Sequence, residues 1–130
     1  MPQVSLSTAA SAFALPSPFA CSWKRDGLDS AWLHLRGEVD LSTSHLFAQA
    51  LDDAQVNAGT VSIDLQELTF IDCSALQVIA GANARARSAG RRLTLVRGFG
   101  QVDRVLKLTG LLEEVEVVDM QKTQTAKTRV

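Results

Sequence analysis

Apolar residues recur along this chain with two different periods. Period two marks "FACSWK" (19–24) and "AWLHLRG" (31–37), which read as strands. The segment between them, "RDGLDS" (25–30), contains Asp-Gly, a short-range hairpin signal. The period then lengthens. Within "EVDLSTSHLFAQALDDAQ" (38–55), Leu46, Phe47, Ala50, Leu51 and Ala54 fall on one helical stripe. Thr43 or Ser42 is expected to cap this helix by accepting a backbone N–H bond. "TVSIDL" (60–65) reads as a short strand, and "LTFID" (68–72) as the end of a buried one. The second helix has Ala75, Val78, Ile79, Ala82 and Ala86 on one face and Gln77, Gly81, Arg85 and Ser88 opposite, with Gly90 as its stop. "RRLTLVRG" (91–98) predicts a strand. "GQVDRVLKLTGL" (100–111) predicts a helix with Val102, Val105 and Leu106 inward and Gly110 ending it. "VEVVD" (115–119) predicts a last short strand.

The resulting order is β-β-α-β-α-β-α-β. Strands that alternate with helices become parallel neighbours through right-handed crossovers. The expected fold class is therefore α/β: a mixed four- to five-stranded sheet with an N-terminal β-hairpin and helices packed on it. Residues 1–18, "MPQVSLSTAASAFALPSP", carry no charged side chain and read as a disordered lead-in. Residues 19–119 form the expected domain, and 120–130 a flexible polar tail. The pattern holds no long internal repeat.

Composition narrows the function classes. The chain has 130 residues and a formal charge of -1, so nothing in its balance calls for direct nucleic-acid binding or an anionic membrane. No apolar run approaches the roughly 20 residues of a spanning helix, so membrane insertion is not expected. The first basic residue is Lys24, which argues against a signal peptide. Two cysteines, Cys21 and Cys73, make no disulfide framework, and a cytoplasmic setting is expected.

The chemistry concentrates where "LTFID" meets "SALQV". A helix N-terminus leaves backbone N–H groups unpartnered and carries about half a positive charge. Asp72 suits this place as a cap. A phosphate on a hydroxyl of the first turn would meet the same N–H groups and add about -1.5 to -2 charges. Ser74 is the hydroxyl of that turn. It reads either as a serine bonded to backbone or as a phosphoacceptor. Cys73 reads either as a small buried hydrophobe or as a redox-active thiol activated by the helix start.

Other sites are thin. His34 and His45 have no Cys/His spacing suited to a metal, and no cofactor is expected. The Gly-rich phosphate loops and the nucleophile elbow are missing from the sequence. Arg85, Arg87, Arg91 and Arg92 form a basic cluster, and Glu113, Glu114 and Glu116 an acidic one; both read as solvated surface.

Three stretches resemble the STAS domain family, specifically its stand-alone bacterial anti-sigma factor antagonists. "LRGEVDLSTSHLFAQAL" (35–51) is similar to the first family signature, a strand ending in Gly-Glu, an aliphatic residue and Asp before a capped helix. "IDLQELTFIDCSALQVI" (63–79) is similar to the second, in which an Asp is followed by Ser, by Ser or Thr, and by Gly. "VDRVLKLTGLLEEVEV" (102–117) is similar to the third. The resemblance implies a STAS-like fold and a non-enzymatic protein. Such a protein binds an anti-sigma factor that is also a GHKL-type serine kinase, and so releases a sigma factor. Phosphorylation of the residue after the signature Asp weakens the complex, and a phosphatase, a further candidate partner, restores it. Here Cys73 replaces that phosphoacceptor, Ser74 follows it, and Ala75 stands in the Gly position.

Regulation is thus expected to be non-standard: an unregulated or otherwise regulated binder first, phosphate on Ser74 second, oxidation of Cys73 third. The resemblance places partner contact on Asp40, Ser42 and Thr43 and on Asp72, Cys73, Ser74, Ala75 and Leu76, with both corners at strand C-terminal ends. A monomer or weak dimer is expected. The competing expectations are a STAS subunit of a stressosome-like scaffold or of a transporter accessory complex and, further off, a nucleotide-binding module.

Overall fold

The computed structural model describes residues 19–118. The lead-in 1–18 and the tail 120–130 lie outside them. Strand β1 (Ala20–Arg25) and strand β2 (Ser30–Val39) form the expected antiparallel hairpin. Helix α1 (Ser44–Asn57), strand β3 (Thr60–Ile71), helix α2 (Cys73–Ser88) and strand β4 (Arg92–Val96) follow. Helix α3 (Gly100–Leu108), the single turn α4 (Leu111–Glu114) and strand β5 (Glu116–Val118) complete the domain.

The five strands lie in the order β1-β2-β3-β4-β5, and each pair from β2 onward is parallel. Right-handed crossovers that always step in the same direction place every helix on one face. Burial follows that rule. Leu33, Leu35, Ile63, Leu65 and Leu95 join Phe47 and Leu51 of α1, Ile79 and Ala82 of α2, and Val102 and Leu106 of α3 in one core. Between the inward residues, Trp32, His34, Ser62 and Asp64 are half-buried on the opposite face.

The structure departs from the pattern in four places. Leu46, expected on the buried stripe, is 43% exposed, because α1 meets the sheet near its edge and its contact face is narrowed to Phe47, Leu51 and Ala54. Val78 is only half-buried, and Leu76 takes an inward place on α2 instead. The short strand at 60–65 is one long strand that runs on through "QELTFI" to Ile71. The third helix stops before Gly110 as expected, where a φ of 80° is open to glycine at little cost, and the difference is the further single turn α4 that follows it. Gly90 ends α2 as expected, with Arg91 N–H returning to the Ala86 carbonyl at 2.7 Å.

Strand β3 outruns β4 toward its C-terminus. Its pairing with β4 ends at Asp64–Val96, whereas its pairing with β2 continues to Val39–Ile71. Register shifts after His34 and after Gly37 bend β2 on the way, and Gly37 adopts φ 84° at the second. The last residues of β2 and β3 are thereby carried side by side beyond the sheet's centre, to the place where α1 and α2 begin.

Candidate functional site

Two corners of similar construction meet at this edge. In the first, Asp40 follows β2. Its Oδ1 accepts bonds from Ser42 N–H at 2.9 Å, Ser42 Oγ at 2.7 Å and Thr43 N–H at 3.2 Å. The Asp40 N–H donates to Thr43 Oγ1 at 3.0 Å. The hydroxyl of Ser42, then its N–H and the Thr43 groups, hold the Asp40 carboxyl below the usual carboxylate range. The expected cap is therefore inverted. Thr43 occupies the N-cap position of α1 without a side-chain cap bond, and Ser42 donates rather than accepts. Both side chains turn back to Asp40, the stronger acceptor, which closes the loop before the helix starts.

In the second corner Asp72 is itself the N-cap of α2. Its Oδ1 accepts from Ser74 N–H at 3.0 Å and from Ser74 Oγ at 2.5 Å. Its other oxygen, Oδ2, accepts the Leu41 N–H of the first corner at 3.1 Å. One carboxylate thus caps a 16-residue helix and clasps the neighbouring loop. The sequence-predicted residues Asp40, Ser42, Thr43, Asp72, Cys73 and Ser74 are gathered on one edge.

Two further members of the set sit elsewhere. Ala75 is 0% exposed and Leu76 8%. Both are buried in the core, unlike the exposed Cys73 beside them. They seat α2 on the sheet instead. The Ser74 N–H, which a phosphate on this turn would use, is already taken by Asp72.

Cys73 is exposed at the first position of α2 with a free thiol, so the reading of it as a buried hydrophobe does not hold. Cys21 is also free; it is partly buried, which pushes its thiol up, and its Sγ lies 3.7 Å from the Leu46 carbonyl.

Three residues of this edge escaped the sequence reading. Leu41 supplies the clasped N–H. Gln101 binds the free edge of β3, its Oε1 accepting from Ile71 N–H at 3.0 Å and its Nε2 donating to Ile71 O at 2.9 Å. It stands where β4 would be had that strand continued. Phe99, just before α3, is exposed beside it. One signal was available: Asp-x-Ser occurs in both corners, at 40–42 and 72–74.

The remaining clusters are occupied. Arg85 reaches Asp52, Arg91 donates to the Gln55 carbonyl and Arg92 forks onto Glu116. His34 lies 3.2 Å from Asp64 and stacks on Trp32. Among the described residues no group of three His, Cys, Asp or Glu side chains is placed to hold a metal ion, and no helix is long and apolar enough to cross a membrane.

Comparison with known proteins agrees with this architecture. Residues 24–119 match the family described as "Mlab, STAS domain". An anti-sigma-B factor antagonist of Listeria monocytogenes serovar 1/2a is 32% identical over 102 residues, spanning 75% of this chain and 87% of the relative. Among solved structures, an anti-sigma factor antagonist from Mycobacterium paratuberculosis superimposes with a TM-score of 0.72 at 20% identity, over 86% of this chain and 96% of that one. The anti-sigma factor antagonist SpoIIAA in its unphosphorylated form gives 0.63 at 15% identity, over 85% and 98%. At such identities these two likenesses establish the fold.

Proposed function

The chain belongs to the STAS domain family, and from that premise we propose that it is an anti-sigma factor antagonist. It is a regulatory binding protein rather than an enzyme. In the cytoplasm, as a monomer or weak dimer, it binds an anti-sigma factor of the GHKL serine-kinase type and so frees a sigma factor. The partner docks on the edge formed by Asp40, Ser42, Thr43, Asp72, Cys73 and Ser74.

The observation that carries this reading is the clasp from Asp72 Oδ2 to Leu41 N–H, which joins two separate loops into one surface. The 32% identity to an anti-sigma-B factor antagonist supports the choice of partner.

The same geometry ranks the modes of control. Cys73 has no hydroxyl to phosphorylate, so the first reading is a binder without standard phosphoregulation. The second uses Ser74. Its hydroxyl donates to Asp72 Oδ1 at 2.5 Å. Phosphorylation would remove that donor and set about -1.5 to -2 charges against a carboxylate. Asp72 would be pushed away and the Leu41 N–H released, so the mark would undo the clasp. A phosphatase would restore it. Oxidation of the exposed Cys73 thiol ranks third.

Titration calorimetry against the anti-sigma factor recovered by affinity purification tests the surface. Asp72→Lys reverses a charge at its centre and is expected to weaken binding about 100-fold or more, as like-charge contacts cost several kcal/mol. Unchanged affinity together with an intact circular dichroism spectrum rejects the surface. Incubation with the partner and ATP, followed by mass spectrometry, separates the modes: phosphate on Ser74 supports the second, none the first.

A subunit of a transporter accessory complex or a stressosome-like scaffold is the second reading. It is favoured by the Mlab label on the matching family. Neighbouring genes decide between them: sigma and anti-sigma genes on one side, transporter genes on the other.

A further inference from the structure

Large apolar side chains stand exposed at or just beyond the C-terminal ends of three successive strands, along the edge that bears the clasp. Leu41, between β2 and α1, is 78% exposed. Phe70, the penultimate residue of β3, is 37% exposed, and Phe99, between β4 and α3, is 58% exposed. The segments that bear them are tied to one another by bonds from side chains to backbone. The Leu41 N–H is bound by Asp72, two residues after Phe70. On the other side, Gln101, two residues after Phe99, holds both backbone groups of Ile71.

With Val39 paired to Ile71 on one flank and the Gln101 side chain bound to Ile71 on the other, the segments that carry the three residues are neighbours at this edge. The other exposed large apolar side chains among the described residues lie elsewhere: Leu28 at the hairpin tip, Leu46 and Val56 on α1 and Leu108 at the end of α3.

We propose that Leu41, Phe70 and Phe99 form an apolar arm of the partner-binding surface, continuous with the Asp40–Asp72 corner, and that they engage an apolar patch of the anti-sigma factor bordered by a basic side chain. This rests on the reading of the protein as an antagonist and extends it to two elements outside the corner, the penultimate position of β3 and the loop before α3. The chemistry of the occupant follows from the charges beside the strip. Both corners open on a carboxylate, and the negative charge of Asp40 and Asp72 on this edge favours a cation there, while Leu41 and the two phenylalanines favour a hydrophobic body. Interface cores enriched in aromatic side chains and rimmed by charge have this make-up.

Single Leu41→Ser, Phe70→Ser and Phe99→Ser variants are to be titrated against the purified anti-sigma factor, with Leu28→Ser and Leu108→Ser as exposed controls and Asp72→Lys as the test of the corner itself. The expected result is a 10- to 100-fold loss of affinity for Phe99→Ser and Leu41→Ser and less for the more covered Phe70→Ser, with the two controls within 2-fold. Circular dichroism and unfolding midpoints report whether each variant is folded. If Phe99→Ser misfolds, Phe99→Leu and Phe99→Gln replace it, and Gln must weaken binding more than Leu.

Loss with Asp72→Lys but none with the three serine variants overturns the apolar arm and leaves the antagonist reading standing. No loss with any of them overturns both. A change in sedimentation of the free protein, with partner affinity unchanged, would assign the strip to a second copy of this chain and overturn the proposal.

Discussion

The two corners of the proposed binding edge begin from nearly the same three residues and end with different jobs. Asp40-Leu41-Ser42 and Asp72-Cys73-Ser74 each fold an Asp carboxylate onto the N–H and hydroxyl of the serine two positions on. In each the middle residue, Leu41 or Cys73, is turned to solvent. Asp40 directs its bonding to its own loop, because three residues, Leu41, Ser42 and Thr43, intervene before α1 begins at Ser44. Asp72 caps its helix directly. Its second oxygen is therefore left to reach the other corner. The distance of the Asp from the helix start, one position for Asp72 and four for Asp40, decides whether it joins two loops or closes one.

The largest effect should come from removing that joint. Asp72→Ala deletes a cap, worth about 1 kcal/mol, and further bonds to a charged acceptor at about 1.5–3 kcal/mol. Since these overlap, a net loss of about 2–3 kcal/mol is expected in urea unfolding. A loss below about 0.5 kcal/mol, the range of an ordinary surface change, would show that the clasp adds nothing.

Asp40→Ala should cost less, since the bonds it loses all lie within one loop. The two losses should also fail to add in the double variant, because each Asp positions the loop that the other one holds. Strict additivity would mean that the corners are independent.

Acid should distinguish them next. The Asp40 carboxyl is held below its ordinary range, so its contribution to stability is complete above about pH 3.9. It is lost as pH falls through the lower, folded-state value, where the native carboxylate finally takes up its proton. Asp40→Asn should therefore flatten the decline of the unfolding midpoint below pH 4. An Asn variant with the same acid dependence as the parent would remove Asp40 from that account. Asp103, whose carboxyl is lowered by a forked bond from Arg97, titrates in the same sense and serves as a control outside the corner.

The smallest structural effect is assigned to Cys73→Ser. The side chain is exposed, so stability should move by no more than about 0.5 kcal/mol. The variant nevertheless returns a hydroxyl to the position directly after Asp72. Incubated with ATP and the kinase partner proposed above, it should gain a phosphate that the parent does not carry at residue 73. Failure to gain one would show that the side chain at 73 is not what limits phosphorylation.

Much of the fold was legible in the chain. Period-two runs at 19–24 and 31–37, Asp-Gly between them, and the 3.6-residue stripe on α2 are local patterns, and local sterics with one-sided burial are enough to turn them into elements. The cap at Asp72 was legible for the same reason. The cap at α1 was misassigned because Ser42, Thr43 and Asp40 all fit a local turn. Which of them accepts is settled by acceptor strength, which a position pattern does not carry. The inward placement of Ala75 followed from the helix period and that of Leu76 did not, and a motif that spans both invites their inclusion in a surface.

By itself the sequence determined the order and type of the elements, the two Asp-x-Ser turns and the absence of a hydroxyl at residue 73, because each depends only on neighbours along the chain. Only the tertiary structure decided that Asp72 reaches Leu41, that Gln101 takes the place of a missing strand beside Ile71, and that Leu41, Phe70 and Phe99 share one edge. Those contacts join residues about 30 positions apart. They exist because β3 outruns β4 and β2 bends at Gly37, and such lengths and registers are set by how whole strands pack together.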